Sequence, residues 1–82
     1  MSQPERVITG LGRALRSLRM ERQLSQEQLS LSTGIHRNYI GGIERGERSP
    51  TVEAVARLAL ALETPLADLF RRAEDLGRVD SQ

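Results

Sequence analysis

At 82 residues, with no cysteine, a single histidine and a formal charge of +1, the chain is one domain near the small end of independent folding. This composition excludes disulfides, thiol catalysis, cysteine-containing zinc sites and a His-rich metal site. No run approaches the roughly 18 apolar residues of a membrane span, and no signal-peptide pattern opens the chain, so the expectation is a soluble, cytoplasmic protein without membrane contact. Tyr39 and Phe70 are the only aromatic residues. The core must therefore be built from Leu, Ile, Val and Ala, which suits a bundle of short helices.

Met1–Gln3 are expected to be disordered, with Pro4 and Glu5 beginning a first helix. Ile8, Leu11, Leu15, Leu18 and Arg22 follow three- and four-residue steps, the stripe of an amphipathic helix ending near Arg22. Arg13 and Arg16 lie off the stripe and are expected in solvent, and Arg19 lies beside it.

The stretch Leu24–Ile43, LSQEQLSLSTGIHRNYIGGI, organises the rest. Ser25 and Gln28 make an S-x-x-Q capping box, and Leu24 with Leu29 can form a hydrophobic staple. The second helix is thus about Gln26–Thr33, ended by Gly34 in the left-handed conformation. A third helix runs from about Arg37 to Glu44, and Gly46 stops it. Leu29, Ile35, Ile40 and Ile43 are the apolar anchors, and Ser30 is small where two helix axes must approach. Arg37, Asn38, Gly41 and Gly42 are expected to face outward, with Tyr39 at the edge.

After the loop Arg45–Pro50, Thr51 is a plausible cap for a fourth helix whose stripe reads Val52, Val55, Ala56, Ala59 and Leu62. Pro65 fits the start of a fifth helix with Leu66, Leu69, Phe70 and Ala73 on one stripe, reaching about Leu76. Residues 1–76 would form the domain and 77–82 a polar tail.

The charge is unevenly spread. Through Arg48 there are eight arginines against five acids, a balance of +3, and from Ser49 onward four against six, a balance of −2. The positive excess sits where a phosphate-binding face would need it.

Leu15, Leu18, Arg19, "LSQEQLS", "TGIHRNYIGGIERGERSPT" and "LALAL" before "PLADLF" resemble the Cro/Xre-type, phage-repressor-like helix-turn-helix family, from about Leu11 to Phe70. Within it, "GIHRNYIGGIERGERSP" looks most like restriction-modification controller proteins. The resemblance implies an all-α, five-helix, lambda-repressor-like DNA-binding domain with helices 2 and 3 as the helix-turn-helix. It also implies that Arg19 pairs with Glu44, and that Gln26 contacts the DNA backbone. Glu63 stands where the family usually has glycine, so that turn is expected to be less tight.

A reading helix projects polar side chains from its first turns into the major groove, where each base pair has its own donor and acceptor pattern. Arg37 and Asn38 occupy those positions, with Tyr39 able to reach a phosphate or a thymine methyl, or else to pack at the rim. Gly41 is read as a base-facing position whose missing side chain lets the helix lie deep. Gln26, His36, Arg45 and Arg48 are the candidates for phosphate, although His36 stands where Ser, Thr or Asp would cap best. One small domain reads too few bases for a unique site. A homodimer on a palindromic operator is therefore expected, with Leu66, Leu69, Phe70 and Ala73 as its interface. The function read from the sequence is a transcription regulator, either autoregulatory or a restriction-modification controller. The rival is an antitoxin or protein-interaction subunit on the same fold. Neither enzyme activity nor a cofactor, metal or small-molecule ligand is expected.

Overall fold

Ser2 opens the first helix. Its hydroxyl accepts from the Glu5 amide at 3.2 Å, while the Glu5 carboxylate accepts from the Ser2 amide at 3.1 Å. This is a capping box, and its hydrogen bonds, the backbone one foremost, hold the Glu5 carboxyl below its ordinary value. The expected disorder at Met1–Gln3 is thereby corrected for Ser2 and Gln3. The S-x-x-E signal was in the sequence. The computed structural model describes residues 2–78, and Met1 lies outside them. The elements are α1 (Gln3–Glu21), α2 (Gln26–Thr33), α3 (Arg37–Glu44), α4 (Val52–Ala61) and α5 (Leu66–Arg78). Among the described residues there is no strand.

Leu11, Leu15 and Leu18 of α1 meet Leu29 of α2, Ile40 and Ile43 of α3, Val55 and Leu58 of α4, Leu62, and Leu69 and Ala73 of α5 in one aliphatic core. The stripe expected on α4 is rotated. Ala54 and Leu58 are buried with Val55, Ala59 and Leu62, whereas Val52 and Ala56 are exposed. Nine of the eleven residues from Val52 to Leu62 are Ala, Val or Leu, so periodicity alone could not choose the face.

α1 and α5 run antiparallel and very close. A Cβ on Gly10 would overlap the Ala73 carbonyl, and one on Gly77 would overlap the Arg6 carbonyl. Arg72 donates to Ser17 at 3.2 Å and to Glu21 at 2.7 Å, and this contact chiefly holds the Glu21 carboxyl below its ordinary value. Arg13, expected in solvent, is half-buried and donates to the Leu76 carbonyl at 3.1 Å. The last carbonyls of a helix have no partner inside it and carry the negative end of its dipole, which draws in this arginine. Gly77 and Arg78 belong to the last turn of α5 and not to a tail, since Gly77 is needed where α5 meets α1. Residues 79–82 of the expected tail lie outside the described residues.

Three helices end in the same closure. After α4, Glu63 donates to Leu60 and Thr64 to Ala59, and Gln23 with Leu24 and Gly46 with Glu47 repeat the pattern after α1 and α3. Glu63 takes φ +52°. The turn expected to be looser is fully closed, and the chain accepts a strained glutamate to close it.

Candidate nucleic-acid interface

The turn between α2 and α3 is built by side chains returning to backbone. Gly34 takes φ +77° and its amide reaches the Ser30 carbonyl at 2.8 Å. The Ser30 hydroxyl donates to the Ile35 carbonyl at 2.6 Å, and the Ile35 amide donates to Thr33 Oγ1 at 3.1 Å. His36 then caps α3, its Nδ1 accepting from the Asn38 amide at 3.0 Å. An imidazole that accepts at Nδ1 carries its proton on Nε2, which leaves a donor on the exposed side of His36. His36 thus fits the cap position after all.

At the other end, Arg19 locks α3 to α1. Its Nε and one terminal nitrogen donate to the two Glu44 oxygens at 2.7 and 3.0 Å, and its other terminal nitrogen donates to the Leu24 carbonyl at 2.8 Å. The hydrogen bond to Glu44 raises the Arg19 pKa above its ordinary value against the cost of burial. Gly12 lets the chains come this close, because a Cβ there would overlap the Ile43 carbonyl. α3 is therefore held at its start by His36 and at its end by Glu44.

On this frame Arg37 and Asn38 are exposed at the first turn of α3. Arg37 donates to Glu27 of α2 at 3.2 Å, a pair open to solvent and so readily given up to another anion. Tyr39 is half-buried against the core, with the Arg48 guanidinium 5.9 Å from its ring centre. Gly41 and Gly42 are buried beneath neighbouring side chains, which corrects the expectation that they face outward. Beside Gly41 lie the side chains of Arg45 and Gln26, and beside Gly42 lies the stem of Arg48. Gln26 donates to the buried Glu44 carboxylate at 2.9 Å, and Arg45 pairs with Glu47 at 3.1 Å. Arg45 and Arg48 are exposed and Gln26 is half-buried.

The four residues expected at a dimer interface separate into two kinds. Leu69 and Ala73 are fully buried inside the monomer and have no surface to share, which corrects that assignment. Ala73 lies where α5 comes closest to α1, against Gly10, and Leu69 sits in the shared core. Leu66 is 38% exposed and Phe70 is half-buried. Leu60, near the end of α4, is 81% exposed and was not singled out in the sequence. Its place in LALALE, where five successive residues are apolar, disguised it.

The partnership of Glu27 with Arg37, of Glu47 with Arg45, and the capping by His36 were also missed. The first spans ten residues across a turn, and nothing in local spacing announces it. No group of residues able to hold a metal occurs among the described residues. No helix among them is long and apolar enough to cross a membrane.

Residues 15–69 match the family described as Helix-turn-helix. The chain is 45% identical over 62 residues to the control protein C.SmaI of Serratia marcescens, covering 76% of this chain and 74% of that protein. It is similar to the crystal structure of the restriction-modification controller protein C.AhdI from Aeromonas hydrophila, with TM-score 0.73 and 39% identity over 76% of this chain and 94% of that one. It is also similar to the clp gene regulator ClgR from Corynebacterium glutamicum, with TM-score 0.87 and 25% identity over 92% of this chain and 80% of that one. With the helix pair, its turn and the Arg19–Glu44 lock all present in one five-helix domain, the chain belongs to the Cro/Xre-type helix-turn-helix family.

Proposed function

We propose that this protein is a sequence-specific DNA-binding transcription regulator, acting in the cytoplasm as a homodimer on a palindromic operator, in the manner of a restriction-modification controller. The observation that carries this is the first turn of α3, where Arg37 and Asn38 stand exposed on a helix braced at both ends. Arg37 and Asn38 read base edges, guanine and adenine being their natural paired partners. Tyr39, set into the core, contributes at the rim. Gln26, His36 through Nε2, Arg45 and Arg48 take phosphates, which position the protein without reading sequence. Likeness to C.SmaI and C.AhdI supports the controller reading over an antitoxin or an interaction subunit.

The dimer forms through α5 and the end of α4, using Leu60, Leu66 and the exposed part of Phe70. Two copies double the base contacts and set half-sites about one helical turn apart. The test is binding to genomic fragments, including the DNA upstream of the protein's own gene, across a salt series. One fragment should be selected over competitor DNA, with affinity falling steeply as salt rises. Failure to select any fragment at moderate salt rejects the regulator.

A further inference from the structure

Gly42 lies in the middle of an eight-residue helix, where glycine is among the least favourable residues. Its surroundings explain it. The Gly42 carbonyl accepts from the amides of Glu47 and Arg48 at 2.8 and 3.2 Å, which fixes the backbone of Arg48 against the end of α3. From there the Arg48 stem crosses the bare Cα of Gly42. A Cβ built on Gly42 would come within 2.6 Å of Arg48 Cγ, 3.6 Å of its Cβ and 3.8 Å of its Cδ. Beyond the crossing, the guanidinium rests 5.9 Å from the Tyr39 ring centre, a cation–π distance.

We propose that Gly42 is a positioning residue whose missing side chain is the slot that carries the Arg48 stem across α3 and sets its guanidinium over Tyr39. This rests on the reading that Arg48 contacts a DNA phosphate. Arg48 follows a turn and is exposed, so a free arginine there would lose much side-chain entropy on meeting a phosphate. The slot and the ring restrict it beforehand, so less is lost on binding. Of the two adjacent glycines, only Gly42 serves the side chain lying on it. At Gly41 a Cβ would meet only the far ends of Arg45 and Gln26, at 3.0 and 3.4 Å, which can swing aside. At Gly42 it would meet a stem tethered at its backbone.

The test compares the wild type with Gly42→Ala, Arg48→Ala and the double variant on the selected operator fragment across a salt series. Gly42→Ala should lower affinity on the order of tenfold, the scale of one charged hydrogen bond. Its salt slope should move toward that of Arg48→Ala. In the Arg48→Ala background the same glycine change should have no effect. An unchanged affinity for Gly42→Ala overturns the proposal. So does an equal loss in both backgrounds, because the added methyl would then act on the DNA or on α3 itself.

Melting separates positioning from folding. Gly42→Ala should melt at or above the wild type, since alanine favours the helix. A lower midpoint supports the slot if Arg48→Ala restores it and overturns the slot if it does not. One readout needs no DNA. The Tyr39 ring current should move the Arg48 side-chain proton resonances upfield in the wild type and not in Gly42→Ala. Absence of that shift in the wild type overturns the slot, whereas a wild type that shows it and selects no DNA rejects the DNA-binding function alone.

Discussion

Arg19 of α1 and Glu44 of α3 face each other in a bidentate pair at 2.7 and 3.0 Å, with the Glu44 side chain only 2% exposed. Gln26 of α2 donates to the same carboxylate at 2.9 Å, so three helices converge on one buried acid. Arg19→Ala strands that charge and should cost about 3 kcal/mol of stability. The Arg19→Ala, Glu44→Ala double variant should lose less than the sum of the two single changes, by about 1 kcal/mol or more. Denaturant melts of the four proteins measure this, and strict additivity would mean that the pair couples nothing.

Arg37 and Arg45 stand eight residues, or two four-residue steps, apart on α3 and its C-cap, yet they are assigned different tasks. Arg37→Ala should relax the choice of base at one position in each half-site, at a cost of about 1–3 kcal/mol for the preferred base. Arg45→Ala should weaken all sequences alike and flatten the salt slope by about one unit. Selection from a randomised operator library, with a salt series for each variant, tells them apart. Uniform loss in both would make Arg37 a phosphate ligand.

The dimer is expected to depend on the apolar surface that the monomer leaves open. Leu60→Glu or Leu66→Glu changes a side chain already 81% or 38% exposed, so the domain should stay folded. Each variant should sediment as a monomer and lose affinity for a full palindrome more than for a single half-site. If the wild type sediments as a monomer at tens of micromolar, the preformed dimer is wrong and pairing must occur on the operator.

Glu63 closes α4 with φ +52°, a conformation that costs a side-chain-bearing residue about 1 kcal/mol. Its ion pair with Arg22, 3.8 Å apart and open to solvent, returns little. Glu63→Gly should therefore raise the melting midpoint by roughly 4–8 °C, with Glu63→Gln near the wild type. A midpoint at or below that of the wild type for the glycine variant would show that the turn is not strained.

Local signals carried most of the fold. The Ser25 capping box, Gly34 and the stop at Gly46 mark the bounds of α2 and the end of α3, because each closes hydrogen bonds within a few residues and needs no distant partner. The Ser2–Glu5 box is equally local and equally legible, although only Ser2 falls in the stretch expected to be disordered and Glu5 in the expected helix start. The exposed first turn of the reading helix was visible too, as polar residues just after a turn.

The chain by itself determined the bounds of α2 and α3, that the two meet at a glycine turn, and that Arg37 and Asn38 would stand at the start of α3. These follow from capping, turn chemistry and apolar spacing, all short-range in sequence. Only the tertiary structure decided which face of α4 is inside, that Leu69 and Ala73 belong to the monomer core, and that Arg13 turns inward. It alone showed that Gly10 and Gly77 allow α1 and α5 to touch, and that Gly41 and Gly42 lie beneath Gln26, Arg45 and Arg48. A helix rich in Ala and Leu offers several equivalent stripes, and a glycine carries no sign of what crosses it. Both are settled by neighbours that approach from elsewhere in the chain.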